Sequence, residues 1–377
     1  MIKGYSLLFG FLLVSVVTLA QRDVDKITLN AIQDFEIEQA EASYYKEKKR
    51  GTLAINASII EYRNKYASAY TVFNVTNGDY MLVLNTIAEN DGESKYKVFV
   101  NGTELALVVN PETEATFNKT QLYLGDVFLT KNDTITISSK AVTNGKIPEK
   151  GGTAWSRGRW SSLILYPKGA DLKEVLSGVK PYEEENGFLE VEAESYHYKS
   201  NNGSPRDWFI CSKLEKPPFP EETLTNHSSS ASGEAYIEAL PDTRVTHNDE
   251  LIKGENFFPK PGEGGLVSYK VKINTPGIYY VWVRAYSSGS EDNGLHVGVN
   301  NEWPESGARI QLCEGKHNWT WSSAQRVPEN HCGTPQTILL NFETPGDYIV
   351  SFSMREDGFE LDKWILVKDK SFIPKSD

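Results

Sequence analysis

Apolar and polar residues alternate along this chain in short runs, with no sustained helical spacing. Strands are predicted over 35–42, 70–75, 80–85, 96–100, 134–138 and 162–166. Turn signals separate them: Asn77-Gly78-Asp79, Asn90-Asp91-Gly92 and Asn101-Gly102. Near the end, Tyr348, Val350, Phe352 and Met354 alternate with polar partners after a Pro345-Gly346 turn. Asp357-Gly358 then predicts a tight reversal into a second strand through Leu361 and Ile365, so a hairpin is expected to close the domain. Short strands punctuated by Gly, Asn and Asp read as an all-β sandwich architecture.

The pattern is written twice. FEIEQAEA at 35–42 is echoed by FLEVEAES at 188–195, TNGDYMLVL by TPGIYYVWV, KVFVNG by HVGVNN, and RWSSLILYP by LDKWILVKD, all in the same order. An ordered repeat predicts two tandem β-sandwiches, over 35–168 and 188–370. The stretch 169–187 is the linker, with a short helix expected over 171–179 and a solvated segment at Pro181 and Glu183 to Glu185. The second copy carries an insertion from Lys199 to Gly265, too long for a plain connector and expected to add strands or wall a binding face.

Composition narrows the function. Residues 1–20 read as a signal peptide: Lys3, an apolar run from Leu7 to Val17, and a small-residue site ending at Ala20. A secreted protein, periplasmic or extracellular, is therefore expected, with no membrane insertion because the run is short for a span. A net charge of -12 argues against nucleic acid, which wants a basic face. In an exported chain Cys211, Cys313 and Cys332 allow one bridge; Cys313–Cys332 is favoured, and buried free thiols are the alternative. Asn-x-Ser/Thr triplets such as Asn74 and Asn132 are glycan acceptors only in a host that glycosylates.

Two groups of residues invite chemistry. Glu190, Glu192 and Glu194 share one face of an extended strand. If first and last strands pair, they meet Asp362 and form an oxygen-rich calcium cage; the alternative is a charged edge that discourages strand addition. The first copy has Gln39, Glu41 and Ser161 at the corresponding places and is expected to lack such a site. The second group is aromatic. Trp303 and Trp319 lie in turn-rich stretches where an indole can face the apolar side of a sugar ring, whereas Trp282, Trp321 and Trp364 alternate with apolar residues and read as core. Arg284, His296 and Arg355 are expected at nearby loop tips, ready for hydroxyls or acidic groups.

EVEAES at 190–195, YYVWVRAYSSGSEDN at 279–293 and MREDGFELDKWIL at 354–366 resemble the carbohydrate-binding modules of the family 6/35 type. Those modules belong to the galactose-binding-like jelly-roll superfamily and are found appended to secreted glycoside hydrolases and polysaccharide lyases. The resemblance covers 188–368 and extends only faintly over 35–168. It implies a jelly-roll fold, a structural calcium on Glu192, Glu194 and Asp362, and ligands bound in end loops or on the concave face. The expected function is non-catalytic binding of a polysaccharide or oligosaccharide through Arg284, His296, Trp303, Trp319 and Arg355, in association with polysaccharide-degrading enzymes. No nucleophile, zinc or P-loop motif offers a catalytic residue. A lyase or glycoside hydrolase on a β-sandwich, or a surface adhesin, are the alternatives.

Overall fold

The computed structural model describes residues 26–149, 151–213, 217 and 226–375. The expected signal peptide lies outside the described residues. The fold is all-β and consists of two β-sandwiches in tandem.

In the first, strands Gly78–Ala88, Asn118–Leu129 and Trp160–Pro167 form the heart of a six-stranded sheet. It faces a five-stranded sheet built around Tyr66–Val72, Thr134–Lys140 and Lys95–Val100. Alternation decides what goes inside: Leu82, Leu84, Leu163 and Leu165 from one sheet meet Ala69, Val98, Ile135 and Ile137 from the other. Trp160 closes this core edge-on to Phe35, ring centres 4.8 Å apart.

The second sandwich packs a sheet containing Leu266–Ile273, Gly346–Met354 and Gly294–Val299 against one containing Ala235–Leu240, Glu360–Val367 and Gly277–Tyr286. From Leu266 onward the chain passes repeatedly between the two sheets, the jelly-roll manner of closing a sandwich. Trp364 is fully buried between Tyr269 and Phe352 at the centre. Phe188–Glu192 pairs antiparallel with Val367–Lys363, so the first and last strands of this unit are neighbours.

Three local expectations change. Asp357-Gly358 does not close a hairpin. Gly346–Met354 and Glu360–Val367 belong to opposite sheets, and the turn arches over the core between them. Glu360–Val367 is buried along its whole length, with Gly277–Tyr286 on one side and Phe188–Glu192 and Ala235–Leu240 on the other, a place a terminal hairpin could not give it. The linker helix is shorter than 171–179: it spans Leu172–Val175, started by the Asp171 carboxylate accepting from the Lys173 N–H at 2.9 Å. Glu184 is buried, not solvated. Burial alone would raise its pKa, but backbone N–H groups of Gly187, Thr275 and Asn274 donate to it and hold it below the usual range.

The linker also binds the halves together. Val175, Leu176 and Val179 pack between Met81, Val83, Ile164 and Tyr166 of the first sandwich and Tyr198 and Ile349 of the second. The two sandwiches thus share a third apolar cluster between their own cores.

Candidate functional site

The expected site residues fall in four places. The first is the carboxylate group. Glu192 ends its strand, Glu194 lies in the short helical turn Ala193–Ser195, and Asp362 sits fully buried in the central strand. The segment Ser232–Gly233 of the insertion crosses all three. Its Ser232 N–H donates to Asp362 Oδ1 at 2.8 Å and its Ser232 hydroxyl to Glu192 Oε1 at 2.7 Å. A Cβ added to Gly233 would lie 3.6 Å from Glu194 Oε1. Glu192 Oε2 and Glu194 Oε2 are buried with no hydrogen-bond partner.

Electrostatics agree with this crowding. Burial, then the charges of Glu192 and Asp362, push Glu194 up to about 7. Burial pushes Asp362 up to about 6 against the opposing pull of Arg284. These donors are of the hard oxygen kind that calcium takes, and two of their oxygens want a partner. Asp362, however, turns its second oxygen to Arg284. Among the described residues no group of three His, Cys, Asp or Glu side chains is placed so as to hold a metal ion.

The second place is the outer face of the same sheet. Arg284 is no loop tip: it sits within strand Gly277–Tyr286, buried, with its guanidinium on Asp362 and 5.7 Å from the Trp319 ring. Trp319 packs edge-on to Tyr236 and Tyr286, and its indole N–H donates to the Ser230 hydroxyl at 3.2 Å. His227 stacks on Tyr286 at 3.8 Å and holds both oxygens of Glu360 at 2.9 Å. Trp319 is therefore a half-exposed member of an aromatic layer with Tyr236 and Tyr286, tied to Ser230 of the insertion.

The third place is the interior. His296 is fully buried in strand Gly294–Val299, its Nδ1 accepting from Arg309 N–H at 3.0 Å and its Nε2 at 3.3 Å from the Phe258 carbonyl. Burial pushes its pKa down to about 3, so it is neutral, and it fastens strands instead of facing a ligand. Trp303 stands apart again, in a cleft between the sandwiches.

Arg355 marks the fourth place, a pocket of about 480 Å³ at one end of the second sandwich. It is buried beside Glu356, with which it pairs, and its guanidinium lies 4.8 Å from the Phe257 ring. Burial lowers its pKa, and the charges of Arg326 and Arg309 push the same way. Arg244 and His247 pair with Glu291 on another wall. Arg326 and Lys316 also line the pocket, and neither has a carboxylate partner among the described residues. Asn293 and Gln311 add amides, while Leu251 and Phe257 add apolar surface. One wall is braced by the Cys313–Cys332 disulfide, Cα atoms 5.4 Å apart; Cys211 is a buried free thiol.

Arg244, Lys316 and Arg326 were not singled out in the sequence. They lie in the insertion and in the disulfide loop, where no periodicity ranks one cation above another. Each also has an acid close by in sequence, Asp242, Glu314 and Glu329 respectively, so no local signal marks them out.

No family model matches the chain. A stretch of 193 residues is 51% identical to "Uncharacterized protein P23" of Formosa agariphila, covering 51% of this chain and 46% of that protein. The chain thus matches about half the length of this curated relative. The solved structures it resembles include a family 35 carbohydrate-binding module from Clostridium thermocellum: 13% identity, TM-score 0.23, covering 38% of this chain and 98% of that one. The C-terminal family 6 module of a Zobellia galactanivorans laminarinase is similar at 12% identity and TM-score 0.25, over 38% of this chain and 99% of that one. A Paenibacillus xanthan lyase covers 91% of this chain with 26% of its own, at 14% identity and TM-score 0.28. Likeness this distant carries no functional argument.

Proposed function

We propose that this is a secreted protein that binds a polysaccharide or oligosaccharide without cleaving it, and that the end pocket around Arg355 receives an acidic group of that glycan. One observation carries the reading: in a chain of net charge -12, Arg326 and Lys316 line a concave pocket whose carboxylates, Glu291 and Glu356, are paired with other cations, and neither has a carboxylate partner among the described residues. A cation without a protein partner beside amides and an aromatic ring suits a ligand that brings its own carboxylate or sulfate along with hydroxyls. Arg355, neutralised by Glu356, would orient the site; Arg326 would pair with the ligand.

Calcium belongs to the same proposal in a structural role. Glu192, Glu194 and Asp362 would have to draw together to hold it, and its charge would offset the burial and the neighbouring carboxylates that raise Glu194. Association with polysaccharide-degrading enzymes fits a binding module but has no interface assigned to it. No described helix is long and apolar enough to cross a membrane.

Affinity electrophoresis on uronate-bearing and sulfated glycans tests the reading. Retardation that Arg326→Ala abolishes is the expected result, with reducing-end and unsaturated-product assays flat on the same panel. Steady product release would make the protein an enzyme and overturn it.

A further inference from the structure

Trp303 lies away from the other expected binding residues, and its surroundings are built to hold it. It follows a two-residue turn in which Val299 and Glu302 exchange backbone hydrogen bonds at 2.9 Å, with Asn300 and Asn301 both in the left-handed region at φ 52° and 62°. The indole then folds back onto the sheet. A Cβ at Gly298 would meet its six-membered ring at 2.7 Å, and one at Gly262 would meet its Nε1 at 2.5 Å. Two glycines thus leave the room in which the ring is seated. Asn202 fixes the Gly262 side by donating to its carbonyl at 2.7 Å. The ring stays half-exposed, and its Nε1–H has no hydrogen-bond partner among the described residues.

What the ring lines is a cleft of about 650 Å³ between the sandwiches. Met81 and Lys168 come from the first sandwich, Gly169 to Lys173 from the linker, and Tyr198, Asn301 and Ile349 from the second. The floor is part of the apolar cluster that joins the halves. This cleft combines an aromatic plane, an apolar floor and a rim of amides and hydroxyls, in the size range of small-ligand sites and at a domain boundary where such sites concentrate.

From this arrangement we infer that the interdomain cleft is a second saccharide site, with Trp303 as its stacking platform and Asn301 as a hydroxyl partner. The inference rests on the carbohydrate reading above, but it concerns a different place and different chemistry. The end pocket takes an acidic group. The cleft takes the face of a neutral pyranose, because its lining is dominated by amide, hydroxyl and apolar groups, with charged side chains, Lys168, Asp171 and Lys173, only along its exposed edge. A sugar ring presents C–H groups on one face, which suit an indole, and hydroxyls at its edge, which suit Asn301 and the free Trp303 N–H. Since both halves and the linker line it, the site exists only while the sandwiches are locked together.

Calorimetric titration of the full chain tests this with two kinds of probe: neutral hexasaccharides of β-1,4-linked glucose, mannose and xylose and of β-1,3-linked glucose, and a β-1,4-mannuronate hexasaccharide. At least one neutral probe should bind and lose about tenfold or more in affinity in Trp303→Ala. Arg326→Ala should leave that binding intact. Asn301→Gly, which keeps the left-handed backbone comfortable, should weaken it as well and carries the test if Trp303→Ala melts early. Neutral binding indifferent to both variants overturns the cleft. So does mannuronate binding that depends on Arg326 with no neutral probe bound; the end-pocket reading then survives. If neither probe kind binds, the carbohydrate reading fails and the cleft with it.

Discussion

Arg284 and Asp362 form a buried ion pair across adjacent strands, and a β-bulge makes it possible. Opposite Gly277–Tyr286, Arg284 pairs with Lys363 and the next residue, Ala285, pairs with Leu361, so Asp362 is the extra residue. The bulge shifts the alternation. Leu361 and Trp364 both enter the core, while Asp362 and Lys363 are both left to the outer side, where Arg284 and Ser232 receive Asp362 and Glu190 receives Lys363. A fully buried carboxylate is tolerable only with such partners.

Removing the arginine should therefore be costly. Arg284→Ala leaves Asp362 buried with one hydrogen bond among the described residues, from Ser232, and is expected to lower stability by about 3–5 kcal/mol. Denaturant unfolding in the presence of chelator measures it. The double variant Arg284→Met/Asp362→Leu should recover most of the loss, and a double variant as unstable as the single one would contradict the pairing.

The carboxylate group predicts a pH dependence with a definite sign. Glu194 is raised from 4.5 to about 7 and Asp362 from 3.8 to about 6. Over that range the folded state binds more protons than the unfolded one, so the contribution is full below about pH 4 and is lost as pH rises through 6 and 7. With chelator present the melting temperature should fall over this window, and Glu194→Gln should flatten the fall. Added calcium should raise the melting temperature most at the alkaline end, where the carboxylates are ionised. A melting temperature unmoved by chelator or calcium at pH 8 would remove the metal from the account.

The shared apolar cluster predicts joint unfolding of the halves. Wild-type calorimetry should give one transition. Leu176→Asp places an unpaired charge in the cluster, should cost about 3 kcal/mol or more, and should split the trace in two. Two transitions in the wild type would mean that the cluster couples nothing.

The disulfide closes a loop of 19 residues in sequence separation and braces the end pocket. Cys313→Ser with Cys332→Ser should lower stability by about 3 kcal/mol. It should also weaken glycan retardation, because Lys316 and Arg326 lie inside that loop. Unchanged retardation would mean that the wall needs no brace.

Much of the fold was legible because a sandwich writes its period into each strand: the alternation through Tyr348, Val350, Phe352 and Met354 is local information. The closing arch was not. Asp357-Gly358 signals a reversal, and a hairpin and a crossing between sheets both begin with one. Only the burial of Glu360–Val367 between partner strands on both sides tells them apart. The residues LDKW carried a subtler mark, since two adjacent polar residues between core Leu361 and Trp364 break the two-residue period where the bulge lies. The site was harder. Arg284 and His296 look like solvent-facing donors by residue type, and their burial depends on Asp362 and on the Phe258 carbonyl, far away in sequence. Trp303 owes its seat to Gly262 and Gly298, which no local pattern links to it.

The central claim, an acidic glycan group held in the end pocket, is tested most directly by one pair of titrations. Polymannuronate and its carboxyl-reduced, neutral counterpart differ only in charge at each sugar. The account predicts that the Trp303→Ala chain, whose interdomain cleft is silenced, binds the native polymer, that binding weakens with added salt, and that both carboxyl reduction and Arg326→Ala remove it. Equal binding of the native and reduced polymers, undisturbed by Arg326→Ala, would contradict it.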